Sequence, residues 1–143
     1  MQVKATGNLR AGSVEITMDF MNNYDKSAVL SLDFGGFEYF GLTDQKGGKY
    51  KVYIKSSPFD SKDVNKGYSK ISSVQFGDEN MDHFTFIEQK FSSSERKSLT
   101  LRIDKFDKSV HRITEFHVRA ILFRGMWQGD KLYRIEDLEI EWK

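Results

Sequence analysis

Strict alternation of apolar and polar side chains is the feature of this sequence that most constrains its fold. In Val14–Phe20, four apolar residues alternate with three polar ones. A period of two places successive side chains on opposite faces of an extended strand. The same pattern recurs in Leu30–Phe34, Leu99–Ile103 and Leu138–Trp142. No segment shows a comparable helical period, so the sequence predicts an all-β protein.

Turn-forming residues separate the alternating segments at the spacing typical of a sandwich or barrel. We expect eight or nine strands in an antiparallel two-sheet sandwich, immunoglobulin-like or jelly-roll-like. A closed barrel is the alternative, because alternation alone does not distinguish the two. The longest apolar run, Ile113–Phe123, is expected to be a central strand. The predicted turns and loops are Asn22–Lys26, a bend at Gly35-Gly36, Asp44–Gly48, residues 56–69, Gly77–Asn80 and Ser92–Glu95.

Composition narrows the class of protein further. The 143 residues show no composition break, which predicts one domain over residues 1–143. The 22 basic and 21 acidic side chains leave a formal charge of +1. Such a balance lacks the basic surface that nucleic acid binding needs, so we expect no nucleic acid partner. The chain has no cysteine, which rules out disulfides and thiolate metal sites. We expect no cofactor.

Two features of the sequence relate to its cellular location. No apolar run approaches the roughly 20 residues that cross a bilayer, so no transmembrane segment is expected. The segment Met1–Thr6 also lacks the apolar stretch of a signal peptide. The sequence leaves both locations open: an extracytoplasmic one is slightly favoured if an export signal has been removed, and a cytoplasmic one is expected otherwise.

The order of the motifs resembles a known class of domain. Val14–Met18, Asn22-Asn23 and Leu30–Leu32 are followed by Leu42–Tyr50 with its glycine turn, and a polar loop then precedes Leu99–Leu101. This order is similar to that of the immunoglobulin-like domains of small bacterial lipoproteins and surface proteins of unknown function. The resemblance implies an extracytoplasmic binding or structural module of a bacterium, with no catalytic residues to transfer.

Catalytic motifs are weak in this chain. Ser94-Glu95-Arg96-Lys97 matches Ser-x-x-Lys, but it lies in a serine-rich loop rather than at a buried helix start. His117 shares a strand face with Glu115, where it could act as an acid or base. A solvent-facing position on the sheet is the favoured interpretation of His117. We predict no catalytic residues and no enzyme activity.

One acidic loop offers oxygen atoms of the kind that calcium prefers. Asp78, Glu79 and Asp82 lie close together in the sequence, but the spacing is not that of an EF-hand. A polar turn is the favoured interpretation, so no metal site is predicted.

The most informative segment for function is Arg124–Asp130, a glycine-flanked hairpin tip. Loops at the end of a rigid sandwich commonly bind partners, and Trp and Arg are favoured anchors in protein interfaces. The predicted binding residues are Arg124, Met126, Trp127, Gln128 and Asp130. In the competing interpretation, which the sequence slightly favours, Trp127 folds back and plugs one end of the sandwich.

The predicted function is a non-catalytic protein-interaction or accessory module, possibly of a bacterial cell envelope. The alternative is a carbohydrate-binding module in which Trp127 stacks on a sugar ring while Gln128 and Asp130 bond its hydroxyls. An enzyme that uses His117 or Ser94 is the third alternative.

Overall fold

A computed structural model describes residues 2–34, 40–53, 66–80 and 86–143 of the chain. The predicted bend at Gly35-Gly36, residues 56–65 of the predicted loop and Asp82 lie outside the described residues. In the described parts of the chain there is no helix with the length and apolar character needed to cross a membrane.

The described residues form twelve β-strands, more than the eight or nine predicted. Several of the additional strands are only two or three residues long, too short to show a period in the sequence. The strands are β1 (Val3–Asn8), β2 (Ser13–Met21), β3 (Ala28–Asp33), β4 (Phe40–Asp44), β5 (Lys49–Lys51), β6 (Ser69–Lys70), β7 (Ser73–Phe76), β8 (Glu79–Asn80), β9 (Phe86–Phe91), β10 (Arg96–Ile103), β11 (Arg112–Phe123) and β12 (Trp127–Trp142).

Hydrogen bonding joins the strands into one continuous path. Its order is β6-β5-β4-β11-β12-β1-β2-β10-β7-β8, and β3 pairs with β11 and β9 beside it. Pairing is antiparallel except between β1 and β12 and between β5 and β6. The all-β prediction is confirmed. The predicted separation into two sheets is only partly met, because β1 and β12 connect the two halves.

Residues from both halves of this path pack around one core. The alternating residues of β2 point inward as predicted, and Val14, Ile16, Met18 and Phe20 are buried. The half that contains β2 contacts the half that contains β11 through aromatic rings. The rings of Phe20 and Tyr133 lie 5.6 Å apart in an edge-to-face arrangement. Aromatic pairs in this geometry add to the stabilisation that burial provides.

Strand β11 is central, as its apolar run predicted. It pairs with β12 along one side and with β3 and β4 along the other. A bulge at Thr114 shifts its register against β4, and the Thr114 hydroxyl donates to the Thr43 carbonyl at 3.0 Å. On β12, opposite Thr114, Asp137 has a φ of 54°.

This irregularity explains why the sequence pattern of β12 predicts two separate strands. Tyr133 and Ile135 pack on the core before Asp137, whereas Leu138 and Ile140 do so after it. A strict period of two would place these two pairs on opposite faces. The left-handed residue resets the alternation, so one strand of 16 residues carries two patterns.

Strand β1 gives no clear pattern in the sequence because its inward residues are small. Ala5 is buried, and a Cβ at Gly7 would lie 2.3 Å from the Trp142 ring. Gly7 therefore leaves the space in which the indole packs. Residues Ala5–Gly7 pair in parallel with Ile140–Trp142, which covers the second side of β12 only near its C-terminal end.

Candidate functional site

The hairpin between β11 and β12 forms the tip that the sequence singled out. Gly125 adopts a φ of 76°, and the amide of Arg124 donates to the Met126 carbonyl at 2.9 Å. Glycine suits this turn because a left-handed conformation costs other residues free energy. The β11–β12 register shifts between Leu122 and Phe123, so that Phe123 pairs with Trp127.

The tip exposes its two large apolar side chains. Met126 is 71% exposed and Trp127 is 62% exposed. The interpretation in which Trp127 plugs the end of the fold is therefore wrong. The indole lies beyond the point where β12 reaches the core, whose first contact on this strand is Tyr133.

Two further loops lie beneath the tip and are fixed to each other by Asn22. Its side-chain amide donates to the Lys26 carbonyl at 2.8 Å and to the Ser92 carbonyl at 3.1 Å, and its own amide donates to the Glu95 carbonyl at 2.9 Å. Asn22 is buried, so these bonds are shielded from water. The predicted turns around Asn22 and Ser92 are confirmed and form one cross-linked base.

Arg124 connects the tip to this base. Its guanidinium carbon lies 4.5 Å from the centre of the Tyr24 ring, a cation–π arrangement. The backbone of Tyr24 is held in turn, because its carbonyl accepts a bond of 2.8 Å from the Ser93 hydroxyl. We use the name tip surface for this stacked pair, Tyr24 and Arg124, together with the exposed side chains of Met126 and Trp127.

A cavity of about 360 Å³ opens beside the tip surface. Of the five predicted binding residues, Arg124, Gln128 and Asp130 line it, whereas Met126 and Trp127 do not. The structure thus divides the predicted site into a cavity wall and an exposed apolar edge. The apolar part of the cavity lining comes from Phe20, Met21, Ala28, Leu30, Phe91, Ala120, Leu122 and Tyr133.

Asp130 is already engaged by a basic residue. The Nε of Arg119 donates to its carboxylate at 2.7 Å, and the same guanidinium lies 3.6 Å from Asp33. A carboxylate held in this way has less capacity to accept hydrogen bonds from a ligand hydroxyl.

A second cavity, of about 620 Å³, continues the first along the side of β12. Its lining includes Gln2, Phe20, Arg96, Lys131 and Tyr133. Burial raises the pKa of Tyr133 above its ordinary value, since the phenolate would lose hydration. Tyr24, Lys131 and Tyr133 are not among the predicted site residues. Only Tyr24, an aromatic residue in the turn that begins with Asn22-Asn23, carries a recognisable signal in the sequence.

His117 is not a solvent-facing residue, which corrects the favoured interpretation. Its side chain is only 15% exposed, and its Nδ1 lies 3.6 Å from the Glu115 carboxylate. A Cβ on Gly41 would be 2.5 Å from the imidazole, so the ring packs on the glycine backbone of β4. Burial lowers the pKa of His117, while Glu115 opposes that shift. The buried Nδ1 atom forms no hydrogen bond with the residues that the structure describes.

The other weak chemical candidates are dispersed in the structure. Lys97 donates from its Nζ to Gln89 and to the carbonyl of Lys90 on β9, at 2.7 and 2.8 Å. It is therefore engaged away from Ser94. Asp78 and Glu79 are exposed at the β7–β8 hairpin. The parts of the chain that the structure describes contain no cluster of three or more potential metal ligands.

No protein-family model matches this sequence, and no curated protein matches it. Among solved structures, the chain is similar to AggA, the major subunit of aggregative adherence fimbriae type I from Escherichia coli. The two share 10% sequence identity with a TM-score of 0.45, over 99% of this chain and 93% of that chain. At this level the similarity supports no conclusion about function.

Proposed function

We propose that this chain is a non-catalytic interaction module that binds a partner protein through its tip surface. The observation that carries the proposal is the exposure of Met126 and Trp127 at the hairpin end of the fold. A large ring held away from the core gains nothing from folding, whereas it gains free energy when a partner covers it.

The surroundings of Trp127 fit a protein interface. Trp and Arg are enriched among the residues that dominate binding energy, and Met adapts to irregular partner surfaces. Arg124 is preorganised by its stacking on Tyr24, and the loops below are cross-linked by Asn22. A preorganised surface loses less conformational entropy on binding.

A carbohydrate is the second candidate ligand. The exposed Trp127 ring favours it, because a flat indole can stack on a sugar. The engagement of Asp130 by Arg119 makes this candidate weaker, since the carboxylate is already occupied.

Two further parts of the proposal rest on the sequence resemblance. We place the module at a bacterial cell envelope and regard the two halves of its strand path as packed layers in an immunoglobulin-like or jelly-roll-like arrangement. The single core cluster that receives residues from both halves supports the second point.

The test is a parallel selection of ligands on the immobilised protein. Random peptides displayed on phage and an array of soluble glycans are each offered to the wild type and to the Met126→Ala, Trp127→Ala double variant. We expect selected peptides to bind the double variant at least about tenfold more weakly, a loss of about 1.4 kcal/mol.

Leu9→Ala is the matched control, because Leu9 is also exposed and lies outside the tip surface. It should leave peptide binding unchanged. Peptides that bind the double variant as tightly as the wild type would contradict the proposal. Glycan binding that requires Trp127, without any peptide binding, would replace it with the carbohydrate alternative.

A further inference from the structure

Over much of its length, strand β12 has one side that none of the other described strands covers. Between Asp130 and Glu136 it pairs in regular register with β11, from Ile121 to Glu115. Its other side pairs with β1 only at Ile140–Trp142. In residues 2–34, 40–53, 66–80 and 86–143, no strand pairs with this other side before Ile140. We call that side, from Asp130 to Glu136, the open edge.

The open edge is regular enough to accept a strand. Gly129, with a φ of 134°, and Asp137, with a φ of 54°, mark its two ends. Between them β12 keeps an uninterrupted ladder with β11. An unpaired edge of this kind presents a row of backbone N–H and C=O groups to an incoming chain.

The cavity of about 620 Å³ lies directly beside the open edge. Its lining joins Lys131 of the open edge to Gln2, at the start of β1, and to Phe20 near the end of β2. Further along, β1 itself occupies this side of β12. The cavity is therefore where an added strand would continue the position of β1, with Phe20 and Tyr133 beneath its inward side chains.

The charge around the open edge indicates the chemistry of the partner. Lys131 lies with its Nζ 4.7 Å from the Tyr133 ring, Arg124 stacks on Tyr24, and Arg96 contacts the Met21 sulfur at 3.6 Å. None of these three cations forms an ion pair with a residue that the structure describes. The one carboxylate among the described residues that line the cavity, Asp19, already accepts a hydrogen bond from the Ser98 hydroxyl. A lysine at an edge strand discourages pairing with uncharged chains. A carboxylate on the partner would convert that barrier into attraction.

We propose that the open edge binds an extended acidic segment of the partner protein by strand addition. This inference rests on the proposed function and specifies how the partner is held. Backbone hydrogen bonds to β12 supply affinity, alternate apolar side chains enter the cavity over Phe20 and Tyr133, and carboxylates meet Lys131, Arg96 and Arg124.

The experiment uses a synthetic peptide, acetyl-Glu-Val-Thr-Val-Thr-Val-Thr-Val-Glu-amide, and amide NMR spectra of the whole chain. At up to roughly 1 mM peptide, we expect saturable shifts at Lys131–Ile135 and Asp19–Met21 and none at Gly7 or Trp142. An absence of saturable shifts in the first two segments would overturn the proposal.

Two methylated versions of the peptide test the strand pairing itself. One carries N-methyl groups on alternate residues, and the other carries them on the remaining residues. A strand added to one edge uses only every second N–H, so exactly one version should lose binding. Equal binding by both versions would overturn strand addition, while the proposed function would stand if the binding of both still required Trp127.

Charge reversal tests the acidic character of the segment. Lys131→Glu should weaken binding about tenfold, whereas Arg112→Glu, an exposed charge reversal on β11, should leave it unchanged. Shifts of the open-edge amides that follow protein concentration rather than peptide concentration would make a second copy of this chain the occupant, which would also contradict the proposal.

Discussion

Each end of β12 carries a tryptophan, and the two side chains differ in their burial and contacts. Trp142 packs over Gly7, its Nε1 donates to the Val110 carbonyl at 2.7 Å, and β1 pairs with the strand beside it. Trp127 lies at the start of the same strand, where it pairs with Phe123 of β11, and it is mostly exposed. An indole therefore stabilises the fold at the C-terminal end of β12, whereas at the N-terminal end it is exposed and can contact a partner.

We call the end of the fold around Trp142 the closed end and the end around Trp127 the open end. Aromatic stacking and hydrogen bonds stabilise the closed end. The Tyr50 ring stacks on Phe106 at 5.1 Å, and Phe106 lies 6.3 Å from the Trp142 ring. The Tyr50 hydroxyl donates to the buried Asp44 carboxylate at 2.8 Å. At the open end, Tyr133 also packs on a ring, but a cavity adjoins it.

Replacing each tryptophan by alanine should give the largest difference between the two ends. Trp142→Ala removes a half-buried indole and its hydrogen bond, so we expect a loss of about 3 kcal/mol in the free energy of unfolding. Trp127→Ala should change it by less than about 0.5 kcal/mol. Urea unfolding measures both values. Equal losses would show that Trp127 is part of the core.

Alanine substitutions of one glycine at each end test whether the backbone differs between the two ends as well. Gly7→Ala places a methyl group against the Trp142 ring, and we expect a loss of about 2 kcal/mol. Gly125→Ala at the tip meets no atom within 4 Å, so its cost of about 1 kcal/mol arises from the positive φ alone. Thermal unfolding distinguishes them. A Gly125→Ala loss larger than that of Gly7→Ala would refute this ordering.

Removing one hydroxyl from each end should have a smaller effect. Tyr50→Phe deletes the bond to buried Asp44 and should cost about 1 kcal/mol, although the Lys46 and Gly48 amides still donate to that carboxylate. Tyr133→Phe should be nearly neutral, since its hydroxyl forms no hydrogen bond with the described residues. Chemical denaturation of both variants checks this. A cost at Tyr133 that matches the cost at Tyr50 would contradict it.

The smallest expected effect concerns Asp107, in the loop that covers the closed end. Hydrogen bonds from Ser109 and Lys46 lower its pKa from 3.8 to about 2. A carboxyl whose pKa is lower in the folded chain stabilises it above the unfolded pKa. That contribution is lost as the pH falls from about 4 towards 2. Ser109→Ala should raise the Asp107 pKa, as followed by carboxyl NMR titration. An unchanged titration midpoint for Asp107 would show that the Ser109 hydroxyl does not lower this pKa.

The sequence predicted the regular parts of this molecule well. Alternation located β2 and β10, and the apolar run of β11 indicated its central position, because burial on one face imposes a period of two. Strand β1 was missed because Ala5 and Gly7 gain their buried positions only from Trp142 and β12. The two alternating patterns belong to one strand, β12, because the backbone of Asp137 is left-handed. The residue type alone does not predict that conformation.

Only part of the candidate site could be predicted from the sequence, because the other part also depends on contacts between distant strands. A glycine-flanked tip with Arg124, Met126 and Trp127 is visible locally, and turn chemistry explains it. The cavity combines Phe20, Lys131 and Tyr133 from distant strands, so no spacing in the sequence could reveal it. Whether Trp127 packs inward also depends on where β12 meets the core.

Acrylamide quenching of single-tryptophan variants measures whether the exposed and the packed tryptophan differ as described. Trp142→Phe leaves Trp127 as the reporter, and Trp127→Phe leaves Trp142. We predict red, readily quenched emission from Trp127 and blue, shielded emission from Trp142. A saturating peptide selected on the wild type should then protect Trp127 alone. Equal quenching of the two residues, or a bound peptide that leaves Trp127 as accessible as before, would contradict the account.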